Sequence, residues 1–153
     1  MNTLQILNVL QSDSFTKSVF TSVLPSDRLP DTVLQKPKGF VVNVDGSDGP
    51  GTHWVSIYLT GDGKGEFMDS YGYHPSYYSE HFKTFLQNNS STFIYNKHVL
   101  QLPWSNVCGQ YCLFYALHRC RNIPMSTITN MFTNDKKWND MLVRDFIRKW
   151  FFV

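Results

Sequence analysis

QLPWSNVCGQYCLFYALHRC, residues 101–120, is a polar loop containing Pro103 and Ser105 that runs directly into a cysteine and then an apolar stretch. Leu113, Phe114, Ala116 and Leu117 cover so much of a helical circumference that a helix over 108–121 is predicted to be buried. Asn122 and Pro124 stop it. Cys108 then stands at a helix start, where unpaired backbone N–H groups and the positive end of the macrodipole favour negative charge. Such a setting lowers a cysteine pKa and favours a thiolate nucleophile at neutral pH. A nucleophile of this kind needs a base, a group to orient the base, and donors for an oxyanion.

The segments on either side show where these could come from. Residues 39–45 (GFVVNVD) read as a buried strand, 46–51 as a flexible loop, and 53–59 (HWVSIYL) as a second strand with His53 at its entrance. Gly61-Asp-Gly63 makes a hairpin turn, and 65–69 returns as a third strand ending in Asp-Ser-Tyr-Gly. Antiparallel pairing of these arms can bring His53 beside Asp69. Among the five histidines, His118 is ten residues beyond Cys108 on the same helix, about 15 Å away at helical rise, and cannot pair with it. Surface positions suit His74 and His81, and His98 within a strand is a weaker alternative to His53. Asp69 can hold the second ring nitrogen of His53, although an Asp in this sequence can equally be a turn former. The Cys108 N–H and the Gln101 side-chain amide are candidate oxyanion donors; Gln101 is otherwise a polar surface residue.

Elsewhere, Leu4, Leu7 and Leu10 predict an N-terminal helix ending near Ser12, and Phe15–Leu24 has no clear type. Pro25, Pro30 and Pro37 exclude a long helix across their segment. A helix is expected over 76–87 from Tyr78, Phe82, Phe85 and Leu86, and a strand over 92–101. A weaker helix follows over 125–132. The last helix, 138–152, carries Trp138, Met141, Leu142, Phe146 and Trp150 on one side. Helix, strands, then helices is an α+β order, and 153 residues fit one domain, 1–153.

Composition narrows the function classes. With 42% apolar and 17% charged residues the chain is ordinary globular material, and a net charge of +2 does not by itself argue for nucleic acid. Lys136, Lys137, Arg144, Arg148 and Lys149 gather near the C-terminus as a solvated helix face or a polyanion contact. Three cysteines form no disulfide framework, which fits a reducing compartment. Residues 1–11 have no signal-peptide pattern, and no apolar run is long enough to cross a bilayer. Asn88 and Asn89 each begin an N-x-S triplet, read as a chance match. A metal site from Cys108, Cys112, His118 and Cys120 is disfavoured: Cys112 and Cys120 lie about 80° apart on a helix and His118 points away from Cys108. Cys112 and Cys120 are expected to be small core residues, and no cofactor is expected.

Taken together, Gly51-Thr-His53-Trp54, Asp69-Ser-Tyr-Gly72 and Gln101-x6-Cys108-Gly109 resemble the adenovirus maturation protease (adenain) and its relatives in Maverick/Polinton elements and virophages, and more distantly the SUMO-specific proteases. The order His, acid, Gln, Cys is the family's order; the Gln-to-Cys spacing and the Gln101-x-Pro103-x-Ser105 pattern are most similar to adenain, whereas Asp-Ser-x-Gly is closer to the SUMO-protease side. Residues 20–30 (FTSVLPSDRLP) are also similar to transposon and viral members.

The resemblance implies a papain-like or adenain-like fold, with a mixed or antiparallel sheet packed on a buried helix that carries the nucleophile. It implies a cysteine endopeptidase with Cys108 as nucleophile, His53 as general base and acid, Asp69 as orienting acid and Gln101 as oxyanion donor. Trp54 would help wall a narrow substrate channel, with a core aromatic as the plain alternative. Polypeptide substrates with small, Gly-rich sites, namely viral or transposon capsid and core precursors, follow from it. So does a monomer, without membrane contact, in a virion or an intracellular site of virus assembly rather than secreted. An activating peptide or DNA is a further expectation, but no cysteine precedes Cys108 to carry a disulfide-linked activator. Removal of ubiquitin-like modifiers, or a non-enzymatic capsid or interaction module on the same fold, are the alternatives.

Overall fold

A mixed five-stranded sheet runs through the centre of the chain in the computed structural model, which describes residues 1–151. Its strands are β1 (Phe20–Pro25), β2 (Lys38–Asn43), β3 (Trp54–Leu59), β4 (Gly65–Met68) and β5 (Phe93–Tyr95), and their spatial order is their chain order. β2, β3 and β4 pair antiparallel, while the outer pairs β1–β2 and β4–β5 are parallel. Helices cover both faces: α2 (Glu80–Asn89) on one, and α1 (Thr3–Ser12), α3 (Cys108–Arg119), α4 (Met125–Thr129) and α5 (Lys136–Phe151) around the other.

The two-sided burial explains why β3 reads as a continuous apolar run. Successive side chains of a strand point to opposite faces. Val55, Ile57 and Leu59 therefore pack with Phe40, Val42, Phe67 and the Phe82, Phe85 and Leu86 face of α2. Tyr58, with Val41 and Met68, faces the cluster built on α1 and α3. α3 sits at the centre of that cluster, and every residue from Tyr111 to Leu117 is buried. The buried carboxylate of Glu66 on β4 ties the sheet to this helix. It accepts from the Arg119 guanidinium at 3.0 Å and from the Tyr115 hydroxyl.

Several sequence expectations shift on contact with the structure. α1 ends at Ser12 as expected, but its core face is Ile6, Val9 and Leu10, and Leu4 is exposed. An Asn2–Gln5 capping box starts it. Phe15–Leu24 splits into a turn and β1. The helix predicted over 76–87 is divided: a 3₁₀ turn at Pro75–Tyr77 is followed by α2, capped by Ser79. Tyr78 lies between them. The strand predicted over 92–101 stops at Tyr95. There the chain leaves the sheet because the buried Asn96 side chain, rather than a further strand residue, pairs with both backbone groups of Asp69. α4 is shorter than expected and ends at Thr129. Phe152, the predicted end of the last helix, lies outside the described residues.

α5 departs from a natural expectation about its faces. Its buried residues are Asn139, Asp140, Val143 and Ile147; Leu142 and Phe146 pack at the edge of the core, Phe146 against the Phe114 ring at 5.1 Å, while Trp138, Met141 and Trp150 are exposed. The polar pair is buried for a reason: Asn139 donates to the Leu100 carbonyl at 3.1 Å, and Asp140 accepts from the Tyr111 hydroxyl at 2.8 Å. Asn89, which opens an N-x-S triplet, is also a structural residue. Its buried amide accepts from Val33 N–H and donates to the Asp31 and Phe85 carbonyls.

Candidate active site

β3 and β4 bring the first two candidates together. His53 immediately precedes β3 and Asp69 immediately follows β4, and the antiparallel register Ser56↔Met68 puts these ends side by side. Nε2 of His53 lies 2.7 Å from Oδ1 of Asp69, with His53 nearly and Asp69 fully buried. A buried carboxylate needs its lone pairs occupied, and Asp69 has three further donors. Tyr71 N–H reaches Oδ1 at 3.0 Å, while Tyr73 N–H at 3.1 Å and the Tyr78 hydroxyl at 2.6 Å reach Oδ2. Burial and the neighbouring Asp69 charge push the Tyr78 phenol far up, so it stays protonated and donates. Gly72 makes the turn possible: its φ is +73°, and a Cβ there would stand 2.7 Å from the His98 carbonyl oxygen.

Cys108 opens α3, as its sequence position predicts, and its thiol lies against His53. Asp69 takes Nε2 of the imidazole, leaving Nδ1 for the sulfur. Burial alone would raise the thiol pKa, but hydrogen bonding and charge from His53, with the Trp54 N–H, outweigh it and pull the value below that of a free cysteine. Burial likewise pulls His53 down, and the hydrogen bonds and charges of Asp69 and Cys108 outweigh that to raise it to about 9. Each partner thus favours the charged form of the other, which is the electrostatic signature of a thiolate–imidazolium pair. The other two thiols lack this. Cys112 is fully buried and its pKa is pushed well up by burial, and burial pushes Cys120 up to about 12.

Gln101 is fully buried, not a surface residue. Its backbone N–H and that of Leu100 both donate to the Ser70 carbonyl. The Leu100 carbonyl is held from behind by the Asn139 amide at 3.1 Å. The Gln101 side chain accepts from the Ser70 hydroxyl, and its Nε2 donates to the Ser105 carbonyl and hydroxyl oxygens at 3.0 Å. The amide's hydrogen bonds therefore go to its own loop. The Cys108 N–H, in the first turn of α3, has no intrahelical acceptor.

Trp54 is half-buried against the core cluster and donates through Nε1 to the Met1 carbonyl at 3.1 Å. Met1 also reaches the start of α3, where a Cβ on Gly109 would stand 3.2 Å from its own. On the other side of His53 opens a cleft of about 770 Å³ lined by Tyr71, Tyr73, Tyr77, Tyr78, Val99 and Pro103. Tyr71 stacks on the His53 ring at 4.7 Å.

The remaining histidines lie elsewhere. His98 is on an exposed loop rather than a strand, His81 is exposed, and His74 is tied to Ser76. The parts that Ser70, Tyr78, Asn96, Ser105 and Met1 play in the site were not predicted from the sequence. Only the Asp-Ser-Tyr-Gly and Gln-x-Pro-x-Ser patterns carried any signal for them, and only for the two serines. Among the described residues, no three His, Cys, Asp or Glu side chains are grouped as a metal site would require, and no helix is long and apolar enough to cross a membrane.

No protein-family model matches this chain, and no curated protein sequence matches it. Among solved structures it is similar to the ASFV pS273R protease at 23% identity and a TM-score of 0.44, over 69% of this chain and 43% of that one. The chain therefore spans less than half the length of that protease. It is also similar to the central domain of the uncharacterized Lpg1148 protein from Legionella pneumophila, at 16% identity and a TM-score of 0.49 over 97% of each chain.

Proposed function

We propose that this chain is a cysteine endopeptidase of the adenain-like kind, acting through Cys108, His53, Asp69 and Gln101. One observation carries the reading: a thiol at the start of a buried helix, held against an imidazole whose far nitrogen is fixed by a buried carboxylate at 2.7 Å. That is the arrangement nucleophile, base and orienter require.

In the proposed cycle the Cys108 thiolate attacks the scissile carbonyl carbon, and the π-electron pair moves to oxygen. The Cys108 N–H and the Gln101 amide, turned from Ser105, receive the oxyanion. Collapse expels the amine, which takes the proton from His53, and a thioester to Cys108 remains. Water then gives a proton to neutral His53 as its oxygen attacks the thioester, and the acid product leaves with the thiolate–imidazolium pair restored. Asp69 holds the ring and stabilises the imidazolium. Trp54, bonded to Met1, forms one wall of the approach to sulfur and favours a side-chain-poor, Gly-containing substrate segment. By its resemblance to that family, the substrates are capsid or core precursors of a virus or virus-like transposon, cut where particles assemble.

The test is profiling on a peptide library by mass spectrometry, alongside labelling by a peptide ending in a Gly-Gly vinyl sulfone. Wild-type protein should cut and become labelled at Cys108, and Cys108→Ala should do neither. Equal turnover by the two proteins, or an unlabelled Cys108, would sink the assignment. Release of a ubiquitin-like protein from its conjugate without cutting of linear peptides would replace endopeptidase with isopeptidase.

A further inference from the structure

The surroundings of His53 are unequal on its two sides. On the Trp54 side the indole is bonded to Met1, which also lies close to Gly109 at the start of α3, so a side chain there is crowded. On the other side the cleft of about 770 Å³ is of the size that holds a bound group. Its floor is a run of ring contacts that begins at the imidazole. Tyr71 stacks on His53 at 4.7 Å, and Tyr78 lies 5.7 Å from the same ring. Tyr77 and Tyr73 meet Tyr78 edge-on at 5.1 and 5.9 Å and stack on each other at 3.9 Å. Tyr73 and Tyr77 are nevertheless 44% and 63% exposed, and Val99 is 48% exposed.

Most polar groups of the lining are already paired. The Tyr78 hydroxyl donates to Asp69 at 2.6 Å and the Tyr71 hydroxyl to the Pro103 carbonyl at 3.3 Å. One oxygen of Asp45 accepts from the Gly51 and Thr52 N–H groups, both at 2.9 Å. What remains for an occupant is chiefly ring carbon, with Val99 and Pro103. A glycine at this position would leave the cleft full of water.

The chemistry at the thiol decides which part of a substrate enters. During acylation the acyl part stays on the Cys108 sulfur, while the amine departs with the proton of His53. The scissile nitrogen therefore sits within hydrogen-bond reach of the imidazole, and the chain that follows it leaves past His53. A cleft with His53 in its wall lies on that amine side. A basic side chain is the rival occupant, because Asp45 also lines the cleft and ring faces attract cations. Against it, the imidazolium that gives up the proton belongs to the same wall and repels a cation placed beside it.

Resting on the endopeptidase reading above, we propose that the tyrosine cleft is the specificity site for the residue that follows the scissile bond, and that it selects a large aromatic or aliphatic side chain. The preferred cut is then asymmetric, with glycine before the bond and a large apolar residue after it.

The experiment measures binding of fluorescein-labelled peptides to Cys108→Ala protein by anisotropy, without turnover. Three peptides carry Gly-Gly-X with X as Phe, Gly or Arg, and a fourth places Phe ahead of the glycines instead. The Gly-Gly-Phe peptide should bind at least about 10-fold more tightly than Gly-Gly-Gly, as expected for burying one aromatic side chain. Tyr77→Ala and Tyr73→Ala should each remove most of that advantage and leave the all-glycine peptide within about threefold. Both rings are exposed and the Tyr73 N–H on Asp69 is kept, and a circular dichroism melt verifies folding. Equal binding of the Phe and Gly peptides, tighter binding of the Arg peptide, or a Phe advantage that survives both substitutions overturns the proposal. So does a dependence on the tyrosines seen only when Phe precedes the glycines. Cleavage of the same peptides by wild-type protein is the separate readout: if none is cut, the endopeptidase reading falls and the scissile-bond role with it, while the anisotropy still decides what the cleft binds.

Discussion

Replacing Asp69 by Asn keeps the shape of the side chain and removes the charge that holds His53. The imidazole is raised to about 9 against 6.5 for an unperturbed histidine, a difference on the order of 3 kcal/mol between its protonation states. Burial lowers it, and hydrogen bonding and charge from Asp69 and Cys108 outweigh burial, with the Asp69 hydrogen bond the foremost raising influence. Asp69→Asn should therefore lower the His53 midpoint, by on the order of one pH unit. The sign for stability follows. A raised folded-state value stabilises most below 6.5, and the contribution is lost as pH rises through about 9. This part of the variant's deficit is accordingly largest in acid and shrinks in alkali. A second, pH-independent part arises because an amide nitrogen would face the Tyr73 N–H, leaving a buried donor unpaired at about 1–3 kcal/mol. Histidine ring-proton NMR across pH 5–10, with His53 assigned by its own substitution, reads the shift without any substrate. A midpoint that moves by less than half a unit would refute the account of how Asp69 acts.

Other consequences are quicker to check. Gln101→Ala should slow peptide cleavage about 10²–10³-fold if its amide serves the oxyanion, whereas Ser105→Ala, which removes one of the amide's two acceptors and keeps the carbonyl, should stay within threefold of wild type. Equal losses in both would mean the loop's architecture, not the amide, matters. Tyr78→Phe removes a charge-assisted hydrogen bond from Asp69 Oδ2; stability should fall by about 1.5–3 kcal/mol in urea denaturation, and the His53 midpoint should rise as the carboxylate turns more fully to the imidazole. Asn89→Ala leaves the Val33 N–H and two carbonyls without their partner, which should cost about 2–4 kcal/mol by the same measurement, and a glycosylation role would predict no such loss.

The parts of the fold governed by local pattern could be read in advance. β2, β3 and β4 declared themselves by apolar runs between turn residues, and α3 by its all-round burial. Because β3 and β4 form a hairpin, the meeting of His53 with Asp69 followed from short-range geometry. What stayed hidden depended on long-range polar pairing. Nothing in Tyr78 distinguishes a hydroxyl aimed at Asp69 from one more aromatic at helical spacing. Residues 96–101 leave the sheet: the Asn96 side chain is taken up by the backbone of Asp69, and the N–H groups of Leu100 and Gln101 donate to the Ser70 carbonyl. On α5, Asn139 and Asp140 take buried positions while Trp138, Met141 and Trp150 stay exposed, because the polar pair's partners Leu100 and Tyr111 lie inside. Periodicity weighs hydrophobicity and is blind to such pairings.

The contact between Met1 and Trp54 has a practical side. The backbone at residue 1 is pinned by the indole and lies over Gly109, next to the thiol. Any purification tag or fusion partner appended ahead of it would begin within reach of the thiol, and would replace the N-terminal ammonium that helps hold the Cys108 pKa down.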